Sequence, residues 1–447
     1  MKYFFWILGC AMNYSDAERM ATVLDSMGYT RTDRESEADL FIVISCSVRE
    51  SAALSIYGKV KDLRELKIKN KKLKTILTGC VIEKDKKKLG KVFDIMMTIE
   101  DLPRLPELLG YPSNDNAYEK SEPSSSHIRS NNKTYLSIVP HYESSFRAYV
   151  PISTGCDNFC TYCAVPYTRG REKSRPIGEI ITEVRDLVAG GYKEITLLGQ
   201  NVNSFGTNNK KQITNNKFVE LLKELDAIPG DHRIYFYSNH PKDMSDELIE
   251  TMAVLKHFPH YIHLPLQSGN DELLRQMNRH YTKEQYLNLV AKIRKTMPDI
   301  TLTTDIIVGF PDETAEQFAD TADVTGKAEY DMAFIAQYSP RSGTVSAKQP
   351  DNVTKEEKKR REKILQEIVK DTVLKHNQKL IGTIQNVLID EAKNNKYYGR
   401  TIGYKVVEIK TDLPRGKAGQ SLKLGQFIDV NIETAGSWKL VGTTRLK

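Results

Sequence analysis

Gly155-Cys156-Asp157-Asn158-Phe159-Cys160-Thr161-Tyr162-Cys163 sets three cysteines in a C-x3-C-x2-C run, four residues after an apolar stretch, Ala148 to Ile152, that reads as a strand. Three thiolates on one short loop can hold three irons of a cubane [4Fe–4S] cluster and leave the fourth iron without a protein ligand. That open position suits the amino and carboxylate groups of S-adenosylmethionine, whose sulfonium C–S bond an electron from the cluster can cleave. Structural zinc is the plainer reading, but it prefers four ligands, often as C-x2-C pairs. No second cysteine pair and no histidine at zinc spacing stands near this loop.

Outward from the loop, six apolar segments alternate with helical stretches. They are Ala148 to Ile152, Ile195 to Leu198, Arg233 to Tyr237, Tyr261 to Leu264, Leu302 to Val308 and Met332 to Tyr338, with Ile177 to Ala189 and Thr282 to Thr296 among the helices. Six βα units in series predict an open or partial (β/α)6 barrel, its chemistry on the loops after the strands. Ahead of it, Lys2 to Leu8, Asp39 to Ile44 and Thr75 to Leu77 read as strands between the helices Ser15 to Met27 and Glu50 to Lys67. That alternation is α/β, the pattern of a doubly wound parallel sheet. Cys10, Cys46 and Cys80 each fall just past the carboxyl end of one of these strands, at the edge where open sheets gather ligands. Single free cysteines are commonly small buried hydrophobes; three at one topological position point to a shared ligand.

After the charged helical stretch Thr354 to Gln378, short strands with Gly and Asn turns follow: Ile384 to Leu388, Lys405 to Glu408, Phe427 to Ile432 and Lys439 to Val441. They predict a small antiparallel β-barrel. Gly110 to Asn132, rich in Ser, Asn and Pro, reads as a linker. The expected division is a first domain over 1–112, a linker over 113–141, a barrel core over 142–378 and a C-terminal barrel over 379–447.

The 447 residues include 65 Lys and Arg against 58 Asp and Glu, a mild net charge of +7. From Ile381 to Lys447 there are eleven basic and six acidic residues, interleaved with Tyr397, Tyr398, Tyr404 and Trp438. A small barrel with positive charge and aromatics can track phosphates and stack unpaired bases. Lys59 to Lys74 and Lys355 to Lys363 are further basic stretches that, taken singly, are ordinary solvated helix faces. The apolar stretch near the start, Tyr3 to Leu8, is too short for a bilayer span, and no small-residue cleavage site follows it. A cytoplasmic protein without membrane attachment is expected, and its six cysteines are not expected as disulfides.

Cys156 to Arg175 (CDNFCTYCAVPYTRGREKSR) resembles the radical S-adenosylmethionine methylthiotransferases, and within them the bacterial tRNA-2-methylthio-N6-dimethylallyladenosine synthases. Supporting stretches run along nearly the whole chain: Gly9 to Asn13, Ser45 to Glu50, Thr78 to Cys80, Leu198 to Asn203, His263 to Gly269, Met277 to Arg279 and Thr304 to Pro311. The resemblance implies an N-terminal methylthiotransferase domain, a radical S-adenosylmethionine barrel and a C-terminal TRAM barrel. It implies that Cys10, Cys46 and Cys80 hold a second [4Fe–4S] cluster, which binds a sulfur species and faces the first. Contacts to S-adenosylmethionine are implied for Tyr162, for the turn Gly199-Gln200-Asn201, for Ser238, and for Asp305 and Ile307 within Asp305 to Val308. Barrel packing and turn chemistry are the plainer reading of each. Glu194, at the start of its strand, is expected at the opposite end of the barrel. His263 is either a site residue or a satisfied core histidine, and Arg169 to Arg175 either meets a phosphate or carboxylate or is a solvated loop.

The activity so implied is radical 2-methylthiolation of N6-isopentenyladenosine at position 37 of tRNA, in the anticodon loop. An electron donor such as flavodoxin or ferredoxin and a sulfur donor are the further partners. Val165 to Glu172 looks more like this branch than the sister enzyme for threonylcarbamoyladenosine. Two more activities compete with it: methylthiolation of an aspartate of a ribosomal protein, and RNA binding by a non-enzymatic metalloprotein. Family members commonly have Gln where Ala11 stands, Asn-Thr where Ile44-Ser45 stand and Pro where Ser342 stands; none of these changes removes a cysteine.

Overall fold

β1 (Lys2–Leu8), β2 (Thr30–Arg31), β3 (Leu40–Cys46), β4 (Lys74–Cys80) and β5 (Ile95–Met96) form one sheet in the order β2-β1-β3-β4-β5, each neighbouring pair parallel. This computed structural model describes residues 1–46, 50–111, 134–207, 216–394, 396–410 and 422–444. The linker expected over 113–141 lies outside the described residues as far as residue 133. β3, LFIVISC, is buried at every residue, as a central strand covered on both faces must be. Ile42 and Ile44 pack with Met20, Val23 and Leu24 of α1 (Ala11–Ser26), while Phe41 and Val43 pack with Ile56 and Leu63 of α2 (Glu50–Lys69). The strands run further than their apolar stretches suggest: Cys46 and Cys80 are the last residues of β3 and β4 rather than the residues beyond them.

The central region begins with β6 (Arg147–Pro151). The pair β7 (Ser153–Thr154) and β8 (Lys173–Ser174) then clasps the cysteine loop at its base. β9 (Glu194–Leu198) and β10 (Arg233–Phe236) join β6 in one parallel sheet, ordered β10-β9-β6. β11 (Tyr261–His263), β12 (Thr301–Val308) and β13 (Met332–Gln337) form a second parallel sheet. These six strands are the partial barrel, and its core is the largest in the molecule, with Ile180, Val184 and Leu187 packed over Val150 and Leu197.

β14 (Ile384–Lys393), β15 (Lys396–Thr401), β16 (Val406–Lys410), β17 (Phe427–Ala435) and β18 (Leu440–Thr443) close into a five-stranded barrel, antiparallel except for the β16–β18 pair. β15 is the strand that the sequence reading lacks. Its inward residues are Tyr397, Gly399 and Thr401 rather than aliphatics, and a Cβ at Gly399 would lie 2.4 Å from Leu388 O. This barrel docks on the amino ends of the central strands. Arg147 joins Glu194 (Nε–Oε1 2.5 Å) to Asp390 (Nη2–Oδ2 3.2 Å), Arg233 Nη2 donates to Asn386 Oδ1 at 2.6 Å, and Tyr235 OH donates to Ile402 O at 3.0 Å. Glu194 is therefore at the end away from the loops that follow the strands. Among the described residues no helix is long and apolar enough to cross a membrane.

Candidate active site

In-register parallel pairing sets Cys46 beside Cys80, and Ser45 beside Gly79, at the ends of β3 and β4. Cys10 is the residue before α1. Asn13, fully buried, accepts from Cys10 Sγ at 3.5 Å and donates to Ser45 O at 3.1 Å, which laces the Cys10 turn to β3. Gly79 has φ +97°, and a Cβ there would lie 2.3 Å from Ser45 O, so glycine is what lets the two strand ends meet. The Cys80 thiol is drawn down to about 6, first by its hydrogen bond with Cys46 and then by the Arg169 guanidinium; burial raises that of Cys10.

The other trio is shaped by a turn far along the chain. Asn278 Nδ2 donates to Asn158 O at 3.0 Å and Phe159 O at 3.1 Å, and Thr161 N donates to Met277 O at 3.1 Å. Arg279, buried, donates from Nη1 to Cys160 Sγ at 3.5 Å, from Nη2 to Pro265 O at 3.3 Å and from Nε to Tyr281 OH at 3.1 Å. Met277-Asn278-Arg279 is thus the clamp of the cysteine loop. Burial pushes Cys156 up to about 11 and Cys163 up to about 12. Metal binding needs thiolates, so loading this trio would release protons.

Both trios open onto one cavity of about 430 Å³. Its wall contains all six cysteines together with Tyr162, Gly199, Gln200, Asn201, Ser238 and Asp305. Ile307 is outside that wall and packs in a small cluster with Tyr162, Met277 and Phe310. A Cβ at Gly199 would lie 2.6 Å from Ser153 Oγ. Gln200 Oε1, Asn201 Oδ1 and Asn239 Oδ1 are buried without a hydrogen-bond partner in the protein, a state that calls for polar ligand atoms. Ser238 and Gln267 hold φ of +66° and +68°, conformations that cost a non-glycine residue about 1–3 kcal/mol each and cluster at ligand clamps. Among the described residues no three His, Cys, Asp or Glu side chains close on a point as a single metal ion requires. Two sets of three thiols around a shared space form a donor set suited to a larger iron–sulfur body, and the orphaned amides suit the polar end of S-adenosylmethionine.

A second cavity, of about 570 Å³, adjoins the first, with Tyr237, Ser238, His263 and Asp305 in both walls. It extends to Arg400, Tyr404 and Trp438 of the C-terminal barrel. His263 lines both cavities with both ring nitrogens satisfied: Nδ1 lies 3.0 Å from Thr303 Oγ1 and Nε2 3.2 Å from Asp305 Oδ2. The four C-terminal aromatics divide, with Tyr398 half-buried on β15. Tyr397 is barrel core, Tyr404 packs 5.0 Å from Tyr235 in the neighbouring barrel, and Trp438 is half exposed. Arg169 and Arg175 are buried in ion pairs with Asp16 and Glu183, so neither a solvated loop nor a phosphate contact describes them. Lys358 and Arg361, in the basic stretch Lys355 to Lys363, are likewise buried, paired with Asp351 and Glu313. Asn13 and Arg279 were not singled out in the sequence as site residues, and Arg169 was singled out for another partner, because Ser45, Cys160 and Cys80, which they meet, come from distant parts of the chain.

The model of the Radical SAM superfamily matches residues 150–325, and that of the Uncharacterized protein family UPF0004 matches residues 2–99. Among solved structures, the radical S-adenosylmethionine methyltransferase TsrM from Kitasatospora setae superposes with a TM-score of 0.52 at 14% identity, over 75% of this chain and 72% of that one. The cobalamin-dependent S-adenosylmethionine radical enzyme OxsB gives 0.50 at 13%, over 84% and 56%. At such identities the likeness shows the fold alone. Fold, cysteine loop and matched family define a radical S-adenosylmethionine enzyme, a class that works with S-adenosylmethionine and a [4Fe–4S] cluster. A tRNA-2-methylthio-N(6)-dimethylallyladenosine synthase of Clostridium botulinum (strain Langeland) is 40% identical over 451 residues, 99% of this chain and 96% of that one. One of Caldicellulosiruptor saccharolyticus is 44% identical over 411 residues, 90% and 85%. The chain belongs to the tRNA-2-methylthio-N(6)-dimethylallyladenosine synthase family.

Proposed function

We propose that this protein places a methylthio group on C2 of N6-dimethylallyladenosine at position 37 of tRNA. In this reading Cys156, Cys160 and Cys163 hold the cluster that binds S-adenosylmethionine, and Cys10, Cys46 and Cys80 hold a second [4Fe–4S] cluster. The observation that carries it is the single cavity bounded by all six cysteines. When bound, these groups supply a deoxyadenosyl radical, the sulfur and the methyl group.

The chain's own residues orient and enclose. Gln200, Asn201 and Asn239 offer unpaired amide oxygens to the amino group of S-adenosylmethionine. Arg279 places a buried positive charge beside Cys160. Asp305, held through Oδ2 by His263 at the junction of the two cavities, offers its other carboxylate oxygen to the edge of a base. The second cavity, with Tyr237, Tyr261, Phe334 and Trp438 in its wall, offers ring faces for an unstacked nucleotide. An anticodon loop already presents such a nucleotide. An electron donor such as flavodoxin or ferredoxin and a separate sulfur donor complete the set of partners.

The test is an anaerobic reaction of reconstituted protein, reductant and S-adenosylmethionine with tRNA bearing N6-dimethylallyladenosine, read by mass spectrometry of the nucleosides. The expected result is the mass of one added methylthio group on that nucleoside, and none on tRNA bearing threonylcarbamoyladenosine. Consumption of S-adenosylmethionine with the nucleoside left unaltered would overturn the assignment.

A further inference from the structure

Arg169 stands six residues after Cys163, at the end of the short helix Val165–Thr168, yet its side chain serves the other trio. It crosses into the N-terminal sheet, where Nε donates to Cys80 Sγ at 2.9 Å and Nη2 to Asp16 Oδ2 at 2.5 Å. The two side chains are 2% and 0% exposed. A buried Arg–carboxylate pair is at its strongest as a two-pronged fork. Here the fork is broken: Arg169 Nη1 and Asp16 Oδ1 have no partner, and Nε is spent on sulfur. Joining the two halves of the molecule would not by itself call for that arrangement. Directing a cationic N–H at one thiol would.

We infer that Arg169 is a positioning residue for the site formed by Cys10, Cys46 and Cys80. It fixes Cys80 Sγ and sets the reduction potential of the cluster placed there, an inference that rests on the function proposed above. Hydrogen bonds and positive charge at a cysteine ligand stabilise the reduced, more negative form of an iron–sulfur cluster and so raise its potential. Asp16 works against this, since its carboxylate balances part of the guanidinium charge. The pair therefore acts on the potential in opposite directions, and the loop that carries Cys156, Cys160 and Cys163 also carries the residue that tunes the partner site.

The experiment is a reductive titration of the reconstituted full-length holoenzyme, followed by electron paramagnetic resonance, with iron and sulfide measured on the same samples. Added S-adenosylmethionine perturbs only the cluster it binds, so the signal that does not respond reports the second site. Arg169→Gln is expected to keep its iron and to shift the midpoint of the unresponsive signal to more negative potential. Asp16→Asn is expected to shift it to less negative potential. Shifts of opposite sign are what a general loosening of the site would not produce. Equal midpoints in both variants and wild type, or two shifts of the same sign, would overturn the inference while leaving the second cluster in place. If Arg169→Gln does not accumulate as folded protein, Asp16→Asn decides alone: an upward shift supports the inference, and no shift or a downward one refutes it. A wild-type protein with only the responsive signal and iron for one cluster would remove both this inference and the proposed cluster arrangement.

Discussion

Gly79 meets Ser45 O where a side chain has no room, in a backbone region that L-residues avoid. Gly79→Ala is expected to cost about 2–4 kcal/mol and to deplete iron from the Cys10–Cys46–Cys80 trio before the other, read by thermal melting and iron analysis. Glu18 makes a second prediction. It is buried near Glu143 and Glu183, and burial is the first cause that raises it from 4.5 to about 7. A carboxyl raised in the folded state contributes stability that is present below 4.5 and lost as pH rises through about 7. Glu18→Gln keeps an acceptor for the Glu143 N–H and carries no charge. It should melt above wild type at about pH 8, by about 1–3 kcal/mol, and no differently at about pH 4. At this scale the cysteines were legible, because crowding in one loop and repetition at strand ends both show in the sequence. Asn13 and Arg279 stand within motifs, but what they touch depends on chain crossings that spacing does not encode: Arg279 and Cys160 are 119 residues apart.

α1 and the helix Ile177–Ala189 lie 164 residues apart at Arg19 and Glu183 and meet through buried charge. Glu183 accepts from Arg19 at 3.5 Å, from Arg175 at 2.8 Å and from Tyr142 OH at 2.6 Å. α1 starts at the residue after Cys10, so this contact helps fix one trio relative to the other. Glu183→Gln leaves buried Arg19 without its counter-charge and Arg175 with only Glu179 at 3.9 Å, at an expected cost of about 3–5 kcal/mol, measured as a lowered melting temperature and lost methylthiolation. The strands of the two central parallel sheets, and β1, β3 and β4 of the N-terminal one, were readable as apolar runs between helical segments; the two-residue strands β2 and β5 were not. β15 was not, because Tyr397, Gly399 and Thr401 face its barrel's interior and give no aliphatic alternation. The buried cations of Lys355 to Lys363 were hidden for a similar reason: Lys358 and Arg361 look like surface charge until Asp351 and Glu313 fold against them.

Over the whole molecule, the cysteines stand at one end of the central barrel and the C-terminal barrel closes the other. Tyr404 reaches from the C-terminal barrel into the aromatic group of Tyr235, Tyr237 and Tyr261 and lines the second cavity. Opening that end with Tyr404→Ala should admit water to the chamber and raise the ratio of S-adenosylmethionine cleaved to nucleoside modified, both counted in one reaction. The decisive measurement uses Cys80→Ala protein, reconstituted without oxygen, with deoxyadenosine and methylthiolated nucleoside quantified side by side. The predicted result is continued release of deoxyadenosine, methylthiolated product at background, and about half the wild-type iron, since in the proposed function each trio holds one cubane. Methylthiolated product at the wild-type level would contradict the pairing of two cysteine trios around one cavity on which the proposed reaction depends.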